Sequence, residues 1–172
     1  NKKKFLDLKK NYHNENKIKI LNEFINTTDN NLDSIFKKNN IKEIDLLSID
    51  IDGRDLSVWK SINSLKPKLV IIEFNQFIPF DVDYEDTTNL FVGNSVLAIC
   101  KYAASQNYDL IGATIANLIF IDKSFNDGRI EKINISSVYQ KIEPLRLGHN
   151  WKGEMLFFNN NKLTLKEYFT HP

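Results

Sequence analysis

One cysteine, one methionine, four prolines and six glycines are all that this chain of 172 residues holds of those types. The single cysteine, Cys100, excludes an internal disulfide and a thiolate metal cluster. Set among apolar residues, it is expected to be a small buried hydrophobe. The glycines, Gly53, Gly93, Gly112, Gly128, Gly148 and Gly153, stand too far apart to form the glycine-rich loop with which dinucleotide sites hold phosphate. No apolar run approaches the ~18 residues of a membrane span. No secretory leader is visible either, so the expected compartment is the cytoplasm, with no membrane partner. Charge of one sign is also missing: 23 Lys and Arg against 22 Asp and Glu leave a net charge of +1, no footprint for nucleic acid. The short run Lys2-Lys3-Lys4 reads as a solvated helix face. Two glycosylation patterns, at residues 26–28 and 134–136, carry little weight without a leader.

What the chain does have is apolar and aromatic bulk. Hydrophobic residues make up 42%, and twelve phenylalanines are among them, enough for the core of one ordinary domain. Phe5, Leu8 and Tyr12 are spaced for one helix face. Ile18, Ile20 and Phe24, in IKILNEFI, predict a strand. Capping residues in TTDNN precede Leu32, Ile35 and Phe36 at helical spacing. IDLLSID reads as a strand buried on both faces, and KLVIIEF as a second. Between them Trp59, Ile62 and Leu65 predict a short helix that stops before Pro67. Residues 75–91 read as a long loop, the kind that often carries function. Ser95 opens a helix with Val96, Cys100 and Ala103 on one face, and Asn107 is its left-handed stop. YDLIGAT and ANLIFID then predict an antiparallel pair. From Phe125 the chain looks less regular, with LTLKEYF as a closing short helix. Strands alternating with helices predict an α/β protein with a mainly parallel sheet.

The acids sit at the ends of the predicted strands. Asp50 closes the first buried strand, Asp52 follows, and Gly53 lets the chain turn into the next helix. Glu73 closes the second strand, with Asn75 two residues on. In open α/β sheets ligands bind at the carboxyl ends of strands. If these strands are neighbours, three carboxylates and an amide converge there. Close carboxylates repel, and a hard cation such as Mg²⁺ suits an all-oxygen group, so Asp50 and Asp52 are candidate metal ligands. The plainer reading is that Asp52 and Asp55 only cap a helix start and a turn.

Asp50-Ile51-Asp52-Gly53 after a strand resembles the first motif of haloacid-dehalogenase-type phosphatases, with Asp50 as nucleophile and Asp52 as general acid/base. Arg54 departs from the residue that follows the glycine there. Asp122 or Asp127 would have to stand in for the later acidic motif. The tripeptide Asp50-Ile51-Asp52 alone also resembles the metal motif of some nucleotide-sugar glycosyltransferases. A longer series resembles the FkbM-like family of S-adenosylmethionine-dependent methyltransferases. It runs from IDLLSIDIDGRDLSVWKSI through PKLVIIEFN and GNSVLAICKYAASQNYDLIGAT to ANLIFIDKSF. The likeness covers about residues 1 to 125, in the family's order. Asp50, Asp52, Gly53, Trp59, Glu73, Asn75 and Asn117 stand as the family pattern has them. Arg54 replaces Asn, Phe74 replaces Tyr and Asn94 replaces Ala.

The resemblance implies a Rossmann-like class I sheet in the order 3-2-1-4-5-7-6, mainly parallel with an antiparallel last strand. Aligned in this way, the chain lacks the first two strands and their glycine loop. Residues 1–124 are then the carboxy-terminal portion of the methyltransferase domain, and 125–172 an irregular tail of the same domain that bears on the acceptor. The chain is expected to be a fragment of a longer enzyme, in keeping with a first residue, Asn1, that is not Met. The implied activity is transfer of a methyl group from S-adenosylmethionine to a hydroxyl of a sugar or other secondary metabolite. The implied catalytic residues are Asp50, Glu73 and Asn75, and Asn26, Thr27 and Asp50 would border the cofactor. His149, with Arg146 and Trp151 nearby, is a further candidate toward the acceptor, against the commoner outcome of an exposed loop histidine. A non-catalytic Rossmann-like module that binds a partner or glycan is the alternative outside enzymes.

Overall fold

The structure is a computed structural model that describes residues 2–87, 92–141, 146–149, 155–159 and 162–164, with side chains described as far as Val138. Helix α1 spans Lys2–Asn11 and α2 Leu32–Lys38. Strand β1 (Leu46–Ile49), helix α3 (Asp55–Lys60) and strand β2 (Leu69–Glu73) follow. Helix α4 (Val96–Ser105) leads into the hairpin of β3 (Tyr108–Ala113) and β4 (Asn117–Asp122). Then come a 3-10 turn at Lys123–Phe125 and α5 (Ile135–Lys141). The first four strands form one sheet in the order β1-β2-β4-β3. β1 and β2 pair in parallel, and β4 runs against both β2 and β3, so β4 alone is reversed in that sheet.

Local chemistry sets most boundaries. Asn31 caps α2 by accepting the Ser34 N–H, and Ser95 caps α4 by accepting the Ala98 N–H. The left-handed Asn107, at φ +64°, ends α4 and turns the chain into β3 as expected. α3 stops at Lys60, earlier than the spacing of Ile62 and Leu65 suggests.

Burial along β2 alternates. Val70, Ile72 and Phe74 are sealed, while Leu69, Ile71 and Glu73 are half-buried. Val70 faces Phe120 of β4 and Ile72 faces Leu118, all essentially without solvent contact. Trp59 of α3 lies over this face. Its ring centroid is 5.1 Å from Tyr102, 5.4 Å from Tyr108 and 5.6 Å from Phe120, the first two edge to face. Leu32, Ile35, Phe36, Leu56, Val96, Ile99 and Val138 complete the core.

Three expectations fail here. IKILNEFI forms no strand: residues 18–25 are irregular, with Phe24 84% exposed. A strand needs a neighbour for its N–H and C=O groups, and among the described residues this segment pairs with none. β1 is not buried on both faces. It is the outer strand of the sheet, and Leu46 is half exposed. The chain after Phe125 is also more regular than expected. It holds α5 and a three-stranded antiparallel sheet of β5 (Arg146–His149), β6 (Met155–Asn159) and β7 (Lys162–Thr164). Of the expected closing helix, Leu163 and Thr164 lie in β7, and the rest falls outside the described residues. No helix among the described residues is long and apolar enough to cross a membrane.

At the end of β4, Asp122 is buried beside Lys66, 2.8 Å away. Burial alone would raise its carboxyl, but the Lys66 ammonium and the Ser124 amide outweigh that and hold it below the usual range. A carboxylate with a lowered folded pKa contributes stability above the unfolded pKa and loses it as pH falls through the folded one. Asp122→Asn is therefore expected to lower stability near neutral pH by ~1–3 kcal/mol. Its stability should also fall less steeply than that of the parent below about pH 4. Urea unfolding at a series of pH values reads both; equal slopes for parent and variant would contradict the assignment.

Candidate functional site

Parallel pairing sets Leu46 beside Leu69 and Ile49 beside Ile72, so β1 and β2 end at the same edge of the sheet. Asp50 and Asp52 leave β1 there, and Glu73 is the last residue of β2. One carboxylate oxygen from each of the three lies within 4.8 Å of the others. Asp50 and Asp52 are exposed and Glu73 is half-buried. Burial raises the Glu73 carboxyl, and the negative charges of Asp50, Asp55 and Asp52 push it further the same way. The expected convergence of the three acids is present.

The turn that carries the aspartates is held from beneath. Asp52 takes φ +58° and Gly53 φ +146°, both outside the region ordinary residues prefer. Asp55, almost fully buried at the first residue of α3, accepts the Ile51 N–H at 2.9 Å and the Gly53 N–H at 3.0 Å. Burial raises its carboxyl against these donors. The plain reading of Asp55 as a turn-bracing cap is what the geometry gives. Arg54 caps α3 without a side-chain hydrogen bond, and its Nε is buried with no partner among the described residues.

Glu73 opens into a cleft of about 290 Å³ lined by Asp52, Gly53 and Asp55 of the turn, residues 73–77, 92–94 and Ala116. Asn75 is in that wall, but its amide is engaged. It donates to the Val92 carbonyl at 2.6 Å and accepts the Phe77 N–H at 2.8 Å. Its backbone N–H donates to the Asn94 carbonyl. Asn117, at the start of β4, pairs with Glu73 across the ladder.

One buried residue of this wall and one bonded to it escape sequence reasoning. Asn94 was visible there only as a replacement of Ala. It is fully buried, and its amide donates to the Gly53 carbonyl at 2.8 Å while accepting the Asp86 N–H at 2.9 Å. Asp86, also fully buried, accepts the Val92 and Gly93 N–H groups. Neither carries a local signal, because both act across loops. Asn94, one of the three departures from the resembled pattern, bonds the carbonyl of Gly53, the residue before Arg54, which is another.

The remaining candidates lie apart. Asn26 spends its amide inside its own turn. It accepts the Thr28 and Asn30 N–H groups and donates to Asp29, with Thr27 in the same turn. Asp122 stands at the wrong end of the sheet for a phosphatase. The β2–β4 ladder pairs Glu73 with Asn117 but Leu69 with Ile121, which puts Asp122, one residue further, roughly 17 Å along the strand from the carboxylate edge. Asp127, farther along, pairs with Arg129. Arg146 and His149 belong to β5, with side chains outside the described residues, as is Trp151.

Gly93 sits at φ +80°, and a Cβ there would come within 3.3 Å of the Asn75 Cβ. Gly93→Ala should therefore cost ~1–2 kcal/mol in a denaturant titration. An unchanged midpoint would mean that the wall can shift without strain.

The family model for the methyltransferase FkbM domain matches residues 3–110, from α1 to within β3. Neither the curated proteins nor the solved structures give a match.

Proposed function

The chain belongs to the FkbM methyltransferase family, and from that premise we propose that it carries the acceptor-side half of an S-adenosylmethionine-dependent O-methyltransferase. The acceptor is a small molecule or glycan with a free hydroxyl, on a sugar or other secondary metabolite. The reading carries with it a cytoplasmic location, no nucleic acid and no membrane partner. One observation supports it most: Asp50, Asp52 and Glu73 meet at the carboxyl edge of two parallel strands, beside a cleft. The strand order adds to this. β1-β2-β4-β3, with β4 reversed, corresponds to the last four positions, 4-5-7-6, of the class I sheet that the resemblance implies.

The cofactor, when bound, supplies a methyl group on a sulfonium, which a nucleophile must approach in line. The described residues do not make its cradle by themselves. The Asn26 amide is committed to its own turn, and no glycine-rich loop is among them. On the acceptor side, Asp50 is exposed at the strand end and positioned to take a hydroxyl proton. Glu73, with its raised carboxyl, is suited to hold a second hydroxyl by donating or accepting a hydrogen bond. Asn75 supports the cleft wall through its two amide bonds.

A metal version of the same role uses Asp50 and Asp52 as ligands, with Glu73 close by. Their oxygen-only donor set fits Mg²⁺, which would acidify the acceptor hydroxyl. Asp122, which the phosphatase reading would use as its later acidic motif, lies at the far end of the sheet.

In the intact enzyme, Asp50→Asn is expected to lower turnover at least ~10²-fold while the circular dichroism spectrum is kept; undiminished turnover would remove Asp50 from the mechanism. Dialysis against EDTA separates the two versions. Activity lost and restored by Mg²⁺ assigns the metal role, and activity retained assigns direct proton transfer.

A further inference from the structure

We infer that Asn94 is a positioning residue that locks the aspartate-bearing turn after β1 to the arch of chain after β2. Three segments meet at this one side chain. Its Nδ2 donates to the carbonyl of Gly53, between Asp52 and the start of α3. Its Oδ1 accepts the N–H of Asp86, on the near limb of the arch. Its own carbonyl accepts the N–H of Asn75, just past Glu73. The amide orientation follows from chemistry: a carbonyl can only accept and an N–H can only donate, so the nitrogen must face Gly53 and the oxygen Asp86. Ala at this position could make neither side-chain bond. Asp, nearly the same shape, could keep the bond to Asp86 but would turn an acceptor toward the Gly53 carbonyl.

The consequence is a rigid spacing. Asp55 already holds the turn from below, through the Ile51 and Gly53 N–H groups. Neither tie reaches the arch. Asn94 supplies that link, so the cleft wall on the Asn75 side and the wall on the Asp52 side keep a fixed separation. Full burial protects the bonds from competition by water. The catalytic meaning of this spacing rests on the methyltransferase reading; the lock itself does not.

Amide hydrogen exchange on this chain, followed residue by residue by NMR, tests the lock with two variants. In Asn94→Ala, the Ile51 and Gly53 amides and the Asp86 amide should all exchange about tenfold or more faster, the size of one lost buried hydrogen bond. The amides of Val70, Ile72 and Phe120 should hold their protection relative to one another. In Asn94→Asp, the turn amides should loosen while Asp86 stays protected. Unchanged protection at Ile51 and Gly53 in both variants would overturn the proposal. So would a uniform rise that includes the core strands, which would reduce Asn94 to a general packing residue. The exchange result stands whether or not the intact enzyme transfers methyl groups. A separate assay with methyl-labelled S-adenosylmethionine carries that question, and there Asn94→Ala should lower kcat with KM held.

Discussion

The parallel pairing of β1 with β2 is the constraint on which the site depends. Neighbouring parallel strands end together, and here both ends are acidic. Asp50, Asp52 and Glu73 come within 4.8 Å of one another through that pairing and the turn that follows β1. Antiparallel pairing would have sent Glu73 to the far end of the sheet, where Asp122 lies. Three close carboxylates are unfavourable for folding unless something offsets their repulsion. In this structure two turn N–H groups donate to Asp55, and the Glu73 and Asp55 carboxyls are raised, by burial first and then by their acidic neighbours. Repulsion held in place by surrounding bonds is a common feature of sites that bind cations or move protons.

Beneath that edge the core is conventional and asymmetric. Val70, Ile72 and Phe74 seal one face against Trp59 and the helices, while the residues between them remain half-buried. β1 stands at the outside with Leu46 half exposed, and residues 18–25, the expected strand, stay irregular. The polar wall of the cleft is different in kind. It is built of loops, and its order comes from Asn75, Asp86 and Asn94, each bonded across the chain. Loops of this sort hold their shape through side-chain bonds rather than ladders, which makes single polar residues there matter more than their size suggests.

Much of this was legible in the sequence where the signal is local. Helix caps at Asn31 and Ser95, the left-handed stop at Asn107 and the apolar runs of β2 and β4 were all readable from neighbours in the chain. The carboxylate edge was readable as well, because a buried strand that ends in an acid points to the ligand side of an α/β sheet. Three things were not. The strand expected at residues 18–25 has the right residues but no partner, and pairing is a property of the sheet rather than of the segment. The second sheet, β5-β6-β7, is made of short strands whose pattern is too brief to separate from loop. Asn94 and Asp86 gave no periodic signal, since their partners lie 41 and six or seven residues away.

The central claim is that this edge belongs to a methyltransferase acting on a hydroxyl. The direct measurement incubates the intact protein with methyl-labelled S-adenosylmethionine and a panel of hydroxylated sugars and metabolites, then follows the label by mass spectrometry. The account predicts a methyl ether on an acceptor oxygen. Phosphate release from a phosphomonoester through a phosphorylated Asp50, with no label transferred, would contradict it.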